Sequence, residues 1–110
     1  MPHYVFHMKV REGSHDELRE LNQEYGPALE QATREIPGFR GIVKYVVGDD
    51  YVEVVDCDES FEEFGQRLAS NPEVREFLRA VGGCFEQSLR EMGERRMDCI
   101  QRIGDGSLAP

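Results

Sequence analysis

An α+β fold of the split βαβ (ferredoxin-like) class, with element order β-α-β-β-α-β, is predicted by three observations. Residues 3–11, HYVFHMKVR, alternate apolar and polar side chains as a half-buried strand does. Residues 40–57 hold two β-branched runs, RGIVKYVVG and YVEVVDC, joined across Gly48-Asp49-Asp50 as a hairpin. Apolar residues at helical spacing come after the first and third strands, and a last alternating run, RRMDCIQRI, occupies 95–103.

The first strand places Tyr4, Phe6, Met8 and Val10 on one side and His3, Val5, His7, Lys9 and Arg11 on the other. REGSHDEL then starts a helix, with Ser14 as N-cap and Glu17 three residues on as a capping box. Leu18, Leu21, Tyr25, Ala28 or Leu29, Ala32 and Ile36 form its apolar stripe. Gly26-Pro27 lies inside that stripe and predicts a kink or a restart, because Pro has no N–H for the carbonyl four residues back. After the hairpin, a second helical region begins near Ser60, with Phe61, Phe64 and Leu68 on one side. Asn71-Pro72 re-caps it, Pro standing at the first helical position where a missing donor does no harm. Val74, Phe77, Leu78 and Val81 continue the apolar face until Gly82-Gly83. CFEQSLREM is predicted as a further short helix before the last strand. The chain therefore reads as a single domain over 1–103 with a loose tail at 104–110.

Such an order gives a four-stranded antiparallel sheet with helices on one face. The opposite face carries Val5 and alternate residues of the second and third strands, and is half-apolar. Two sheets stacked face to face in a homodimer, a dimeric α/β barrel, would cover it.

Among 110 residues, 13 are basic and 22 acidic, a formal charge of −9. Phosphate binding needs a basic surface, so a nucleic acid partner is disfavoured, and an anionic membrane surface with it. No window approaches the roughly 20 apolar residues of a membrane span. The N-terminal segment alternates where a signal peptide would be continuously apolar, so the cytoplasm is the expected compartment. Cys57, Cys84 and Cys99 are widely spaced with no CxxC pair, which reads as free thiols rather than a zinc site. His3 and His7 share a strand face but stand ~13 Å apart at ~3.3 Å per residue, too far for one metal ion. No phosphate loop, Ser-His-Asp order or dinucleotide fingerprint occurs.

The stretch DDYVEVVDCDESFEEFGQRLASNPEVREFLRAVGGCFEQ, with RRMDCIQRI after it, resembles the small aromatic polyketide cyclases of the tetracenomycin type and their SchA/CurD-like relatives. The likeness rests on Tyr51 to Asp56 of the third strand, the acidic turn Asp58-Glu59-Ser60, and the step Asn71-Pro72-Glu73-Val74-Arg75, and it covers residues 49–103. It implies a dimeric ferredoxin-like fold with a pocket between sheet and helices. There a poly-β-ketone is closed into rings by aldol-type condensation and loss of water, with no metal or redox cofactor. Where the tetracenomycin-type enzymes carry a His two residues after the Tyr, this chain has Glu53; their His-Asp pair on the first helix has no counterpart here, the nearest segment being Asn22–Tyr25.

Ring closure needs a base at an activated methylene and a donor at a carbonyl oxygen. The candidate catalytic residues are His7, Glu53 and Arg40. His7 has an imidazole that titrates near neutrality, unless it is an ordinary sheet histidine. Glu53 is an acid among β-branched neighbours: either it pairs with Lys44 or Arg40 across the hairpin, or it lines the cavity as a buried carboxylate. If the first and third strands are neighbours, His7 and Glu53 are expected to project into one space. Arg40 is placed to hold a carboxylate or enolate oxygen, or else lies on the surface. The candidate substrate-binding residues are Asn22 and Tyr25 beside the Gly-Pro step, Tyr45 and Tyr51 as carbonyl donors, and Phe64 as an apolar wall. Two other functions fit the same fold: a cofactor-free monooxygenase acting on a phenolic polyketide, and a non-catalytic dimeric binding module.

Overall fold

The computed structural model describes residues 3–89, 91 and 96–97. Its elements run β1 (His3–Lys9), α1 (His15–Arg34), β2 (Phe39–Val47), β3 (Asp50–Cys57), α2 (Phe61–Ala69), α3 (Pro72–Gly82) and β4 (Arg96–Met97). The strands are antiparallel in the order β2-β3-β1-β4, so β1 and β3 lie at the centre. β4 is a two-residue pairing to Val5 and Phe6. The rest of the strand expected over 95–103, Cys99 and the tail at 104–110 lie outside the described residues.

Each strand forms for the reason its sequence gives: alternation along β1 buries Tyr4, Phe6, Met8 and Val10. β2 and β3 meet across a two-residue turn in which Gly48 has φ +60°, the left-handed region that hairpin turns require and glycine adopts freely. Register then sorts the side chains. Tyr4, Val55 and Ile42 are cross-strand neighbours on the helix side, as are Phe6, Glu53 and Lys44, and Met8, Tyr51 and Val46. The next set over faces away from the helices: Val5, Val54 and Val43, then His7, Val52 and Tyr45, then Lys9, Asp50 and Val47.

The core splits into two clusters. One gathers Met8, Val10, Leu18, Tyr51, Phe77, Val81, Cys84 and Phe85 under α1 and α3. The other gathers Tyr4, Phe6, Ile36, Val55, Cys57 and Phe64 under α2. The thiols of Cys57 and Cys84 are free and buried.

Two local expectations need correction and a third is narrowed. Ser14 stands at the N-cap of α1 but its side chain makes no cap hydrogen bond. Its ψ of 3° departs from the extended backbone that swings a cap oxygen over the first turn. Of the kink or restart expected at Gly26-Pro27, the restart does not occur: α1 runs as one helix through both residues. The helix expected over CFEQSLREM does not begin at Cys84, because that backbone pairs with the end of β1 instead. Phe85 bridges Val10, the Arg11 N–H donates to the Cys84 carbonyl at 2.7 Å, and the Glu86 N–H donates to the Lys9 carbonyl at 2.8 Å.

Candidate active site

Between the sheet and the helices, at the seam of the two core clusters, lies a cavity of about 210 Å³. Its walls come from both clusters: Phe6 and Phe64 on one side, Phe77, Val81 and Phe85 on the other, with Leu29 of α1 closing over them. Three lining side chains carry polar atoms, Lys44, Tyr51 and Glu53. An apolar enclosure with a few convergent polar groups is the common form of a small-molecule site. A shallower groove along α1, beside Gly26 and Thr33, shares Leu29, Ile42 and Lys44 with the cavity, so Lys44 stands where the two meet.

Strand parity explains why these groups converge. Lys44 and Glu53 are cross-strand partners on β2 and β3, and Tyr51 is two residues before Glu53 on the same face. The Tyr51 hydroxyl donates to Glu53 Oε1. Burial pushes the Tyr51 phenol far above its usual range, with the Glu53 carboxylate adding to that, so it remains a donor at any ordinary pH. Lys44 Nζ donates to Asn22 Oδ1 at 2.6 Å and sits 4.9 Å from the centre of the Phe77 ring. Burial draws the Lys44 amine below its ordinary value of 10.5, and Glu53 opposes that shift. Asn22 is itself anchored, its Nδ2 donating to the Leu18 carbonyl at 2.8 Å one helical turn back.

The candidates taken from the sequence are thereby divided. Glu53, Tyr51 and Phe64 line the cavity, and Asn22 holds a residue that does. Tyr25 packs at 5.6 Å on Phe77, itself a cavity wall, without lining the space. Tyr45 faces the opposite side of the sheet and is 55% exposed. Arg40 lies outside the cavity and is engaged elsewhere. Its Nη2 is 2.6 Å and its Nε 2.8 Å from Oδ1 of the buried Asp56, its Nη1 2.7 Å from Asp58 Oδ1.

The expected His7–Glu53 pair is not formed. β1 and β3 are neighbours, but Glu53 stands opposite Phe6, and His7 opposite Val52, so the imidazole and the carboxylate lie on different faces. His7 Nε2 is instead 2.7 Å from Asp50 Oδ1, which also accepts Lys9 Nζ at 2.7 Å. Lys9 first and His7 second hold the Asp50 carboxyl below its usual range.

In the sequence Lys44 enters only as a partner for Glu53. Its signal is its parity: Ile42, Lys44 and Val46 alternate inward, and a lysine inside an apolar series is as unusual as Glu53 among its valines.

Among the described residues no group of three or more His, Cys, Asp or Glu is arranged to hold a metal ion, and no helix is long and apolar enough to cross a membrane. No protein-family model and no curated protein matches the chain. Solved structures do match. Tetracenomycin F2 cyclase from Streptomyces glaucescens, a type-II polyketide cyclase, superposes with a TM-score of 0.68 at 13% identity over 96% of this chain and 99% of its own. A putative antibiotic biosynthesis monooxygenase from Bordetella bronchiseptica gives 0.58 at 17% identity over 78% and 86%. A NIPSNAP family protein from Agrobacterium tumefaciens gives 0.56 at 18% identity over 78% and 77%. The likeness read from residues 49–103 thus extends to an α+β fold that this chain shares with tetracenomycin F2 cyclase over nearly its whole length.

Proposed function

We propose that the protein is a cyclase or aromatase that closes a poly-β-ketone, or a partly cyclised intermediate, by aldol condensation and loss of water. The observation that carries this reading is the cavity in which Glu53, Tyr51 and Lys44 meet among aromatic walls. A folded polyketone presents apolar surface to Phe6, Phe64 and Phe77 and carbonyl oxygens to the Lys44 N–H. The Glu53 carboxylate takes the proton of a methylene between two carbonyls, while Lys44 stabilises the oxygen that gains charge. The carbon so formed attacks a second ketone, whose oxygen is protonated by the Glu53 acid. Loss of the second methylene proton to Glu53 and of the hydroxyl as water leaves the ring double bond. Reactant and product then differ by one water, and no electrons are gained or lost. Tyr51 keeps one oxygen of Glu53 fixed, leaving the carboxylate aimed by its strand rather than free to rotate.

The fold likeness to a type-II polyketide cyclase supports the reaction class. The sheet face away from the helices supports a homodimer: Val47 is 77% exposed and Tyr45 55%, beside the half-buried Val5, Val43, Val52 and Val54. A second copy stacked there would cover them.

Purified protein incubated with a poly-β-ketone under nitrogen should form cyclised product, and Glu53→Gln should slow that step by ~10²–10⁴-fold with the circular dichroism unchanged. Turnover that requires oxygen would assign the site to a monooxygenase. Glu53→Gln at the wild-type rate would remove the carboxylate from the mechanism.

A further inference from the structure

The chain has two lysines, Lys9 and Lys44, against eleven arginines. The two stand on opposite faces of the same sheet and in opposite states. Lys9 is half-exposed, forms an ion pair with Asp50 at 2.7 Å, and is held above the usual lysine value first by that contact. Lys44 lies at the mouth of the apolar cavity with a neutral amide oxygen as its closest hydrogen-bond partner, 2.6 Å away. We propose that Lys44 is a covalent catalyst, forming an imine with a ketone of a β-dicarbonyl substrate.

The inference rests on the reading of the cavity as a polyketone site and adds a bond to it. Three features carry it. An amine desolvated beside the Phe77 ring, rather than paired at contact with a carboxylate, gives up its proton more readily than a solvated one, and the neutral amine is the nucleophile. Burial lowers the Lys44 proton affinity, which enlarges the neutral fraction. Asn22 Oδ1 accepts one N–H and thereby orients the nitrogen, while Glu53, the cross-strand partner of Lys44, supplies a proton acceptor on the same face. Finally, the groove beside Gly26 reaches Lys44 from outside, giving a dicarbonyl a path to the nitrogen.

The step balances without an oxidant or reductant. The Nζ lone pair forms a bond to the ketone carbon, and a proton passes from nitrogen to the ketone oxygen. With a second proton, the one that the Lys44 ammonium gave up to Glu53, that oxygen leaves as water. The iminium then loses a methylene proton to the Glu53 carboxylate and becomes an enamine, whose carbon attacks the second ketone. Addition of water to the resulting imine releases the product and restores the amine. The nucleophile is therefore an enamine at Lys44 in place of a free enolate.

Acetylacetone is the probe, because its imine with a lysine rearranges to a conjugated enaminone that absorbs in the near ultraviolet and survives proteolysis. The expected result is one adduct per chain, with the mass of acetylacetone less one water, mapped to the peptide of Lys44 and absent from that of Lys9. Lys44→Arg keeps a cation and N–H donors but forms no imine. It should abolish the adduct and slow ring closure about as much as Lys44→Met does. No adduct at Lys44 in the wild-type protein, equal labelling of Lys9, or Lys44→Arg closing rings near the wild-type rate would each overturn the proposal. The outcomes separate it from the cyclase reading: an adduct without ring closure refutes only the cyclase, and ring closure without an adduct refutes only the covalent step.

Discussion

Tyr51 and Lys44 titrate in ways that leave a mark on stability as well as on chemistry. The folded Lys44 has a lowered proton affinity, so between its folded value and the ordinary 10.5 the unfolded chain binds more protons than the folded one. Stability from this residue therefore rises with pH across that window, and the penalty of burying the ammonium is complete below it. Tyr51 acts in the opposite sense: its phenol is held protonated by burial, so above about 10 only the unfolded chain ionises and stability falls. The two effects overlap, and a difference measurement isolates the first. Urea midpoints of the wild-type protein and Lys44→Met, taken from neutral pH to 10.5, should move apart in favour of the wild type as pH rises. A gap that is constant with pH would mean that Lys44 titrates as a solvated amine.

At this scale the sequence is partly legible. Glu53 stands out because an acid between valines in a strand has to be accounted for, and its place in the cavity comes from the parity of β3. The pairing with His7 does not. That the two strands are neighbours is correct, but which residue stands opposite which depends on register, and Phe6 rather than His7 meets Glu53. One residue of register carries a side chain through the sheet.

Among the elements, caps and breaks are the most readable features where their chemistry is local. Asn71 Oδ1 accepts the N–H groups of Glu73 at 3.0 Å and Val74 at 3.1 Å, and Pro72 takes the first helical position of α3. Ser60 caps α2 in the same manner, accepting the Glu63 N–H at 3.2 Å. Asn71→Ala should cost about 1 kcal/mol by leaving those donors without a side-chain acceptor, and should leave the ring-closing step unaffected because Asn71 does not line the cavity. Thermal melts and turnover measured on the same preparation check it: an unchanged melting temperature with lost turnover would make Asn71 a residue of the site. Ser14 shows where local chemistry misleads. Its sequence has the capping-box pattern, but its backbone is folded into the turn begun by the Ser14 N–H and the Arg11 carbonyl, 3.0 Å apart. Likewise Gly82-Gly83 marks the end of α3, while the path of the chain beyond it is decided at a distance, by the end of β1, with which Phe85 and Glu86 pair.

For the whole molecule, the order of strands and the side on which the helices pack are legible because periodicity 2 and periodicity 3.6 alternate cleanly along the chain. The position of the cavity is not, because it lies at the seam between two core clusters and no single element announces a seam. The proposed dimer is tested at this scale. Light scattering at micromolar protein should give twice the chain mass, and Val54→Lys, which sets a charge in the middle of the outer face opposite Val5 and Val43, should give the single mass. A monomer in the wild type would leave the outer face to be covered by something else.

The parity of the sheet has a consequence for engineering. On β3 the residues at 51, 53 and 55 point to the helix side and those at 52 and 54 to the outer face; on β2 the sets are 42, 44 and 46 against 43, 45 and 47. Two combinatorial libraries can therefore occupy the same two strands without sharing a position. One, at 42, 44, 51 and 53, varies what the cavity accepts; the other, at 43, 45, 52 and 54, varies what the sheet associates with. Substitutions within a library are neighbours and should couple, whereas those from different libraries are separated by the thickness of the sheet and should combine close to additively. A single-residue deletion in either strand breaks that independence at once, since it exchanges the two alphabets from the deletion to the end of the strand.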